Sequence, residues 1–337
     1  MSWRSSYRCH RALLVAAAVL VVATTSVSEG GAASGGGGGG SHGAAASSEG
    51  GHRRWREPMP IDERRAHRAT VKAMFEFGYD NYMRHAFPLD ELNPHACSGR
   101  GVDYGDHTNI NINDVLGNYS VGLIDSLDSL ALLGNRSEFG KAVRLVCERV
   151  SFDQNSTVQL FETTIRALGG LLSAHTIATT PAFGMRVAGY NGGLLRLAED
   201  LGRRLLPAFE NSKTGIPHPR IHLQRGLDLN GLPAELTNET CTSGATTLLL
   251  EFGALSHYTG DMKYFRVAHA ALSAVWQRRS RSTGLVGSTI NIQTGSWINT
   301  MAGIGERRKE ATTAASAVTA FRDMLRPHDV YISLLTL

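Results

Sequence analysis

Leu133-Gly134-Asn135-Arg136-Ser137-Glu138-Phe139-Gly140-Lys141-Ala142 can be laid over Thr259-Gly260-Asp261-Met262-Lys263-Tyr264-Phe265-Arg266-Val267-Ala268. Each stretch ends one helix on a Gly, offers an Asn or Asp, and opens a second helix with a Phe and an Ala. The Gly supplies the left-handed position just past a helix, and the Asn or Asp side chain caps the next helix. Two hairpins built alike predict repeated packing of antiparallel helix pairs. Arranged in a ring, such pairs make an α/α toroid, with loops and inner-helix ends around a central cavity. A generic helical bundle also fits two copies.

The apolar spacing around these hairpins is helical. Val71, Met74, Phe75, Tyr79 and Tyr82 recur at three- and four-residue intervals. So do Val121, Ile124, Leu127, Leu130 and Ala131, and later Leu248, Leu249, Phe252, Leu255 and Ser256. Alternation suited to strands is confined to residues 219–223 and 287–293. The pattern predicts a mainly helical domain with short hairpins.

Composition supports a sizeable core: the chain has 337 residues, 42% hydrophobic and 19% charged. Lys and Arg exceed Asp and Glu by 34 to 30, too small a surplus for a nucleic-acid partner. Four Cys without a CxxC pair exclude a zinc ribbon and a disulfide-dense miniature scaffold.

The ends differ from the middle. Arg4, Arg8 and Arg11 precede an apolar run over residues 12–23, and small polar residues continue to Ser28. This is the build of a secretory signal over residues 1–28, and the run is shorter than the ~20 residues of a spanning helix. A cleaved signal and an uncleaved signal anchor both fit, the latter being the one route to a membrane. Residues 29–61 form a Gly/Ala/Ser-rich tether, including Gly35 to Gly40, and then a basic arm. The arm suits either an anionic surface or a solvated first helical turn. Sequons at Asn118, Asn135, Asn155 and Asn238 agree with a secretory route as glycosylation sites. Cys9 falls within the signal, which leaves Cys97, Cys147 and Cys241, an odd number.

Chemistry concentrates in Phe161-Glu162-Thr163-Thr164-Ile165-Arg166-Ala167-Leu168-Gly169-Gly170-Leu171-Leu172-Ser173-Ala174-His175. Read as one helix, it carries Phe161, Ile165, Leu168 and Leu172 on an apolar stripe and Glu162 and Arg166 on the other face. Two adjacent Gly inside a helix cost about 1 kcal/mol each relative to Ala, which points to a close approach by a helix or a ligand. Glu162 and Arg166 are four residues apart, and spacing alone also allows an ordinary surface ion pair.

This stretch resembles the signature of the class I α-1,2-mannosidases, glycoside hydrolase family 47. Other stretches resemble the family in the same order: residues 75–94, 118–135, 205–220, 239–256 and 284–297. Asp90-Glu91-Leu92-Asn93-Pro94 and Asn111-Ile112-Asn113 are most similar to the branch of ER degradation-enhancing α-mannosidase-like proteins. The resemblance implies an all-α (αα)7 barrel with a Ca²⁺ ion at its floor. It implies inverting hydrolysis of α-1,2-linked mannose on high-mannose N-glycans of misfolded glycoproteins in the endoplasmic reticulum lumen. An ER-lumenal oxidoreductase or chaperone is the kind of protein partner it suggests. Glu162 corresponds to the family's proton donor, Arg166 to a glycan-contacting Arg and Glu251 to an acid of the substrate pocket. Asp125 and Asp128 correspond to a motif on the same barrel face, although cap and packing roles suit them as well.

The resemblance holds through Ala302-Gly303-Ile304-Gly305 and then stops. Family members continue into a stretch with a catalytic Asp, whereas this chain continues with Glu306-Arg307-Arg308-Lys309-Glu310 and an Ala/Thr-rich run. The expected organisation is thus a partial catalytic domain over 62–305, about the first half of the barrel, and an unrelated tail over 306–337. The family's second catalytic Glu and its Ca²⁺-binding Thr belong to the other half, so no metal ligand is expected here. This chain is accordingly expected to be catalytically inactive by itself and poorly stable. The competing reading is a non-catalytic module that binds glycans or misfolded glycoproteins.

Overall fold

The computed structural model describes residues 59–301. The signal, most of the tether, the end of the expected catalytic segment and the tail lie outside them. In chain order the elements are α1 (Ile61–His85), β1 (Glu91–Asn93), β2 (Ser98–Arg100), α2 (Ile110–Asn113), α3 (Val121–Ile124), α4 (Leu127–Leu132) and α5 (Arg136–Arg149). Next come β3 (Thr157–Gln159), α6 (Leu160–Thr163), a π turn (Thr164–Leu168), α7 (Gly169–Thr179), α8 (Gly193–Leu205) and β4 (Arg220–His222). The last are α9 (Ala234–Asn238), β5 (Glu239–Cys241), α10 (Thr242–Thr246), α11 (Leu249–Thr259), α12 (Lys263–Gln277), β6 (Thr289–Asn291) and β7 (Trp297–Asn299).

The helices pack in pairs. α4 lies on α5, α7 on α8 and α11 on α12. Across the pairs α4 meets α7, and α7 meets α11, while α5 meets α8. Three successive hairpins therefore form two concentric rows, one of first helices and one of second helices. This is the arrangement of an α/α barrel. The two sequence-matched hairpins turn as expected. Gly134 and Gly260 have φ of 79° and 74°, a backbone region open to Gly at no steric cost. Asn135 accepts the Glu138 N–H at 3.2 Å, and Asp261 accepts the Lys263 N–H at 3.0 Å. The core between the rows holds Phe139, Val146, Leu168, Leu171, Leu194, Leu201, Phe252, Leu255 and Tyr264, all buried.

Both alternating stretches form strands, β4 and β6. β4 pairs antiparallel with β3, and β6 lies between β5 and β7. These short ladders sit where one hairpin hands the chain to the next. The helical spacing over 121–131 is split into α3 and α4, with Asp125 and Ser126 at the break.

One buried acid organises the entry to α3. Asp90 is fully buried and accepts four backbone N–H groups: Gly117 at 3.0 Å and Asn118 at 2.6 Å on Oδ2, Tyr119 at 3.0 Å and Val121 at 3.1 Å on Oδ1. Asn118 and Ser120 within this loop have φ of 66° and 57°, a left-handed conformation that Asn tolerates and that Ser adopts less readily. Ser120 Oγ also donates to the Pro88 carbonyl at 2.6 Å. Burial pushes the Asp90 carboxyl upward, and the four N–H donors oppose that shift.

Asp90→Asn keeps the shape but turns an amide NH₂ toward one pair of these donors. Each buried unsatisfied N–H costs about 1–3 kcal/mol, so we expect a loss of roughly 2–5 kcal/mol. Urea unfolding monitored by far-UV circular dichroism checks this, and a midpoint equal to that of the unsubstituted chain would contradict it.

Candidate active site

The run from Leu160 to Thr179 is helical throughout, but the π turn interrupts its α geometry. A π turn inserts an extra residue into the helix and rotates the residues beyond it. Glu162 stands ahead of it, Arg166 lies within it, and a back half that packs follows. Gln159, the last residue of β3, caps the run by accepting the Glu162 N–H at 3.2 Å. Glu162 therefore stands in the first helical turn, where the helix dipole favours an acid.

Glu162 and Arg166 do pair, but not as a surface pair. Arg166 Nε donates to Glu162 Oε2 at 2.8 Å, and the Glu162 side chain is only 11% exposed. Arg166 Nη1 donates to Asp125 Oδ2 at 2.8 Å, across from the α3–α4 break. One guanidinium thus joins two carboxylates that lie 37 positions apart in the chain (162 − 125). Burial raises the Glu162 pKa. The Arg166 hydrogen bond and charge pull it back, and the charges of Asp114 and Asp125 push it up again. Burial works against the Arg166 charge, but Asp125 and Glu162 outweigh it and hold the guanidinium firmly protonated.

The other sequence-chosen acids lie close by. Asp128 stands one turn beyond Asp125, and burial, then the Asp125 charge, pushes it up to about 6. Glu251, in the first turn of α11, faces the back of the same helical run at Gly169. A side-chain carbon on Gly169 would stand 3.5 Å from Glu251 Cγ. Its Oε2 is buried without a hydrogen-bond partner, and burial pushes the carboxyl up to about 7. Gly170 faces α3 instead: a carbon there would stand 3.2 Å from both the Ile124 carbonyl oxygen and its Cγ2. Only Gly170 thus answers to a close approach by protein; Gly169 has ordinary contacts.

His175 stands about 20 Å from Glu162 along the run and serves packing. Its Nδ1 meets the Tyr190 hydroxyl at 2.8 Å, and its ring stands edge-on to Tyr258. Three sequon side chains are used by the fold. Asn118 Nδ2 donates to the Tyr104 hydroxyl, Asn135 caps α5, and Asn155 Oδ1 contacts His222 and accepts from Arg225. Asn238 is half-buried at the end of α9. Among the described residues no three His, Cys, Asp or Glu gather as a ligand set for a metal ion.

The profile of Glycosyl hydrolase family 47 matches residues 74–309, the segment that holds this acid–arginine network. The chain belongs to this family. It is 44% identical over 250 residues to ER degradation-enhancing alpha-mannosidase-like protein 3 of Homo sapiens, covering 74% of this chain and 27% of that protein. It is 46% identical over 249 residues to Alpha-mannosidase I MNS4 of Arabidopsis thaliana, covering 74% and 37%. Among solved structures it is similar to the alpha-1,2-mannosidase from Trichoderma reesei. That match has a TM-score of 0.57 at 26% identity, over 69% of this chain and 46% of that one. The chain thus spans less than half the length of these relatives. The family-47 fold agrees with the stacked hairpins.

Sequence reading missed Asp114 and Arg220, which form a nearly buried ion pair whose acid acts on the Glu162 carboxyl. It also missed the Gln159 cap. The available signal was the alternating stretch around 219–223, which places an Arg inside a strand.

The packing of this run yields two stability predictions. Gly169→Ala meets only ordinary contacts and should gain up to about 1 kcal/mol of helix propensity. Gly170→Ala presses on the Ile124 backbone and should instead lower the thermal midpoint. Equal midpoints for the two variants would contradict the assignment of Gly170 as the tight contact.

Glu251 gives a pH-dependent test. Its pKa rises from 4.5 to about 7 on folding, so between these values the folded state holds a proton the unfolded chain has released. Stability from the neutral form is full below the unfolded value and is lost as pH rises through about 7. Glu251→Gln removes this term. Relative to the unsubstituted chain, the Gln variant should gain stability between about pH 5 and about pH 8, read from urea midpoints at both.

Proposed function

We propose that this chain carries the acid-bearing part of an α-1,2-mannosidase acting on high-mannose N-glycans of misfolded glycoproteins in ER-associated degradation. The observation that carries the reading is the Glu162 carboxyl: nearly buried, bonded to Arg166, and seated in the stretch that resembles the family's signature. The names of the relatives support the setting, being ER degradation-enhancing proteins and α-mannosidases. Proteins so placed meet N-glycans in the ER lumen, reached through residues 1–28. No helix among the described residues is long and apolar enough to cross a membrane.

In this reading Glu162 protonates the glycosidic oxygen as the bond to mannose breaks. Burial and the neighbouring acids raise its pKa, the direction a carboxyl needs to serve as general acid. Arg166 orients that carboxyl and contacts the glycan. Asp125 holds Arg166 from the far side, and Asp128 and Glu251 line the same face. Inversion also needs a carboxylate that activates water on the opposite side of the sugar, about 6.5–9.5 Å from the acid. We assign that base to none of the described residues, and calcium ligation likewise to none of them. Folded alone, the 337-residue chain is therefore expected to bind glycan and release no mannose.

Mannose release from a high-mannose glycan tests the assignment, run on this chain and on one continued through the remaining half of a family barrel. In the continued protein, Glu162→Gln should cut turnover by roughly 10²–10⁴-fold, the usual contribution of general acid catalysis. Glycan affinity should stay within a few-fold of the parent's, because the amide keeps the shape. Arg166→Ala should weaken binding as well. Parent-like turnover in both variants would reduce the pair to a structural contact, and glycan binding without turnover in every form would favour the binding-module reading.

A further inference from the structure

Arg220 occupies an unusual position. Its Nε and Nη2 donate to the two carboxylate oxygens of Asp114 at 2.9 Å and 2.8 Å, and its Nη1 donates to the Leu236 carbonyl at 2.6 Å. The side chains are 9% and 16% exposed. A planar guanidinium with both edges engaged holds its partner in one geometry, which an ammonium cannot do. This single residue joins the loop after α2, strand β4 and helix α9, three segments that serve successive hairpins.

The strand it stands on leads to Glu162. Arg220 pairs in register with Gln159 of β3, and the Leu160 N–H donates to the Pro219 carbonyl at 2.8 Å. Directly opposed residues of an antiparallel pair project to the same face. Gln159 is also the residue whose side chain caps the Glu162 N–H. Displacing β4 would therefore displace the start of the helical run.

Arg166 bonds Glu162 directly, and the charges of Asp125, at the α3–α4 break, and Asp114, in the loop after α2, both act on it. Asp125 is 39% exposed and already bonded to Arg166, so solvent and that bond mute its field. Asp114 is less exposed, and Arg220 bonds both its oxygens, so the two make a neutral pair. Without Asp114 the Arg220 charge would stand uncompensated on the strand that pairs with Gln159.

We propose that Asp114, clamped to Arg220, is a positioning residue for Glu162: the clamp fixes the strand from which the acid's helix starts, and Asp114 neutralises the arginine that strand carries. The role rests on Glu162 being the proton donor, since it spares that group the pull of a second, unpaired arginine. The pair acts through Glu162 and touches no reacting atom.

The experiment titrates Glu162 directly. The full chain is labelled with ¹³C at the Glu side-chain carboxyl, and the Glu162 resonance is identified by its loss in Glu162→Gln. Asp114→Asn leaves the Arg220 charge uncompensated and should lower the Glu162 midpoint by roughly 0.5 pH units, the scale of one partly screened charge. Asp114→Glu should keep it at the parent's value. The double variant Asp114→Asn with Arg220→Met removes the two opposite charges together and should bring the midpoint back toward the parent's. An unmoved midpoint in folded Asp114→Asn, or a double variant shifted as far as Asp114→Asn alone, would overturn the proposal. Loss of the fold in both would also overturn it, leaving the pair a folding contact alone. The readout needs no turnover, so a chain that releases no mannose leaves it intact and counts only against the mannosidase reading.

Discussion

Everything around the site hangs on a buried carboxylate that takes no part in the proposed chemistry. Asp90 gathers four N–H groups from residues 117–121 and so dictates a loop that its own sequence would not choose, with Asn118 and Ser120 both left-handed. α3 starts from that loop, and Asp125 stands where α3 ends. Arg166 bonds Asp125, and Glu162 bonds Arg166. The position of the acid is therefore inherited, bond by bond, from an aspartate more than seventy positions earlier in the chain (162 − 90 = 72).

The electrostatics explain how one Glu can sit against an Arg and remain a candidate acid. A lone Arg at hydrogen-bond distance would favour the carboxylate form. Here burial is the largest influence and works the other way, with two neighbouring aspartates on its side. Arg166 meanwhile is shared between Glu162 and Asp125, so its charge is divided between two acids. The outcome is a carboxyl raised above its ordinary value inside an ion network, a combination that burial without neighbours or an exposed pair would not produce.

Much of this is legible in the chain itself, for reasons that differ by element. Gly134 with Asn135, and Gly260 with Asp261, encode their turns locally, and the turns form as read. The strands at β4 and β6 come from alternation over a few residues. Glu162 is marked by its place in a recognisable stretch, and the paired Gly announce close packing. The contacts that escape have partners far apart in sequence. Asp114 and Arg220 are separated by 106 positions, and nothing local joins them. The π turn escapes because no residue in 164–168 encodes it by itself.

The same separations order the assembly of the molecule in time. Asp90 reaches its donors across 27 to 31 residues, whereas Arg220 must wait for a loop of 106 to close onto Asp114. Closure entropy grows with the logarithm of loop length, a difference of about 1 kcal/mol between the two. During synthesis the first knot can close while β4 is still inside the ribosome, so the cradle of the acid is laid down before the strand that fixes its helix exists. Arg220 then acts as a late latch: the geometry around Glu162 is completed only when the chain has grown through β4 and α9.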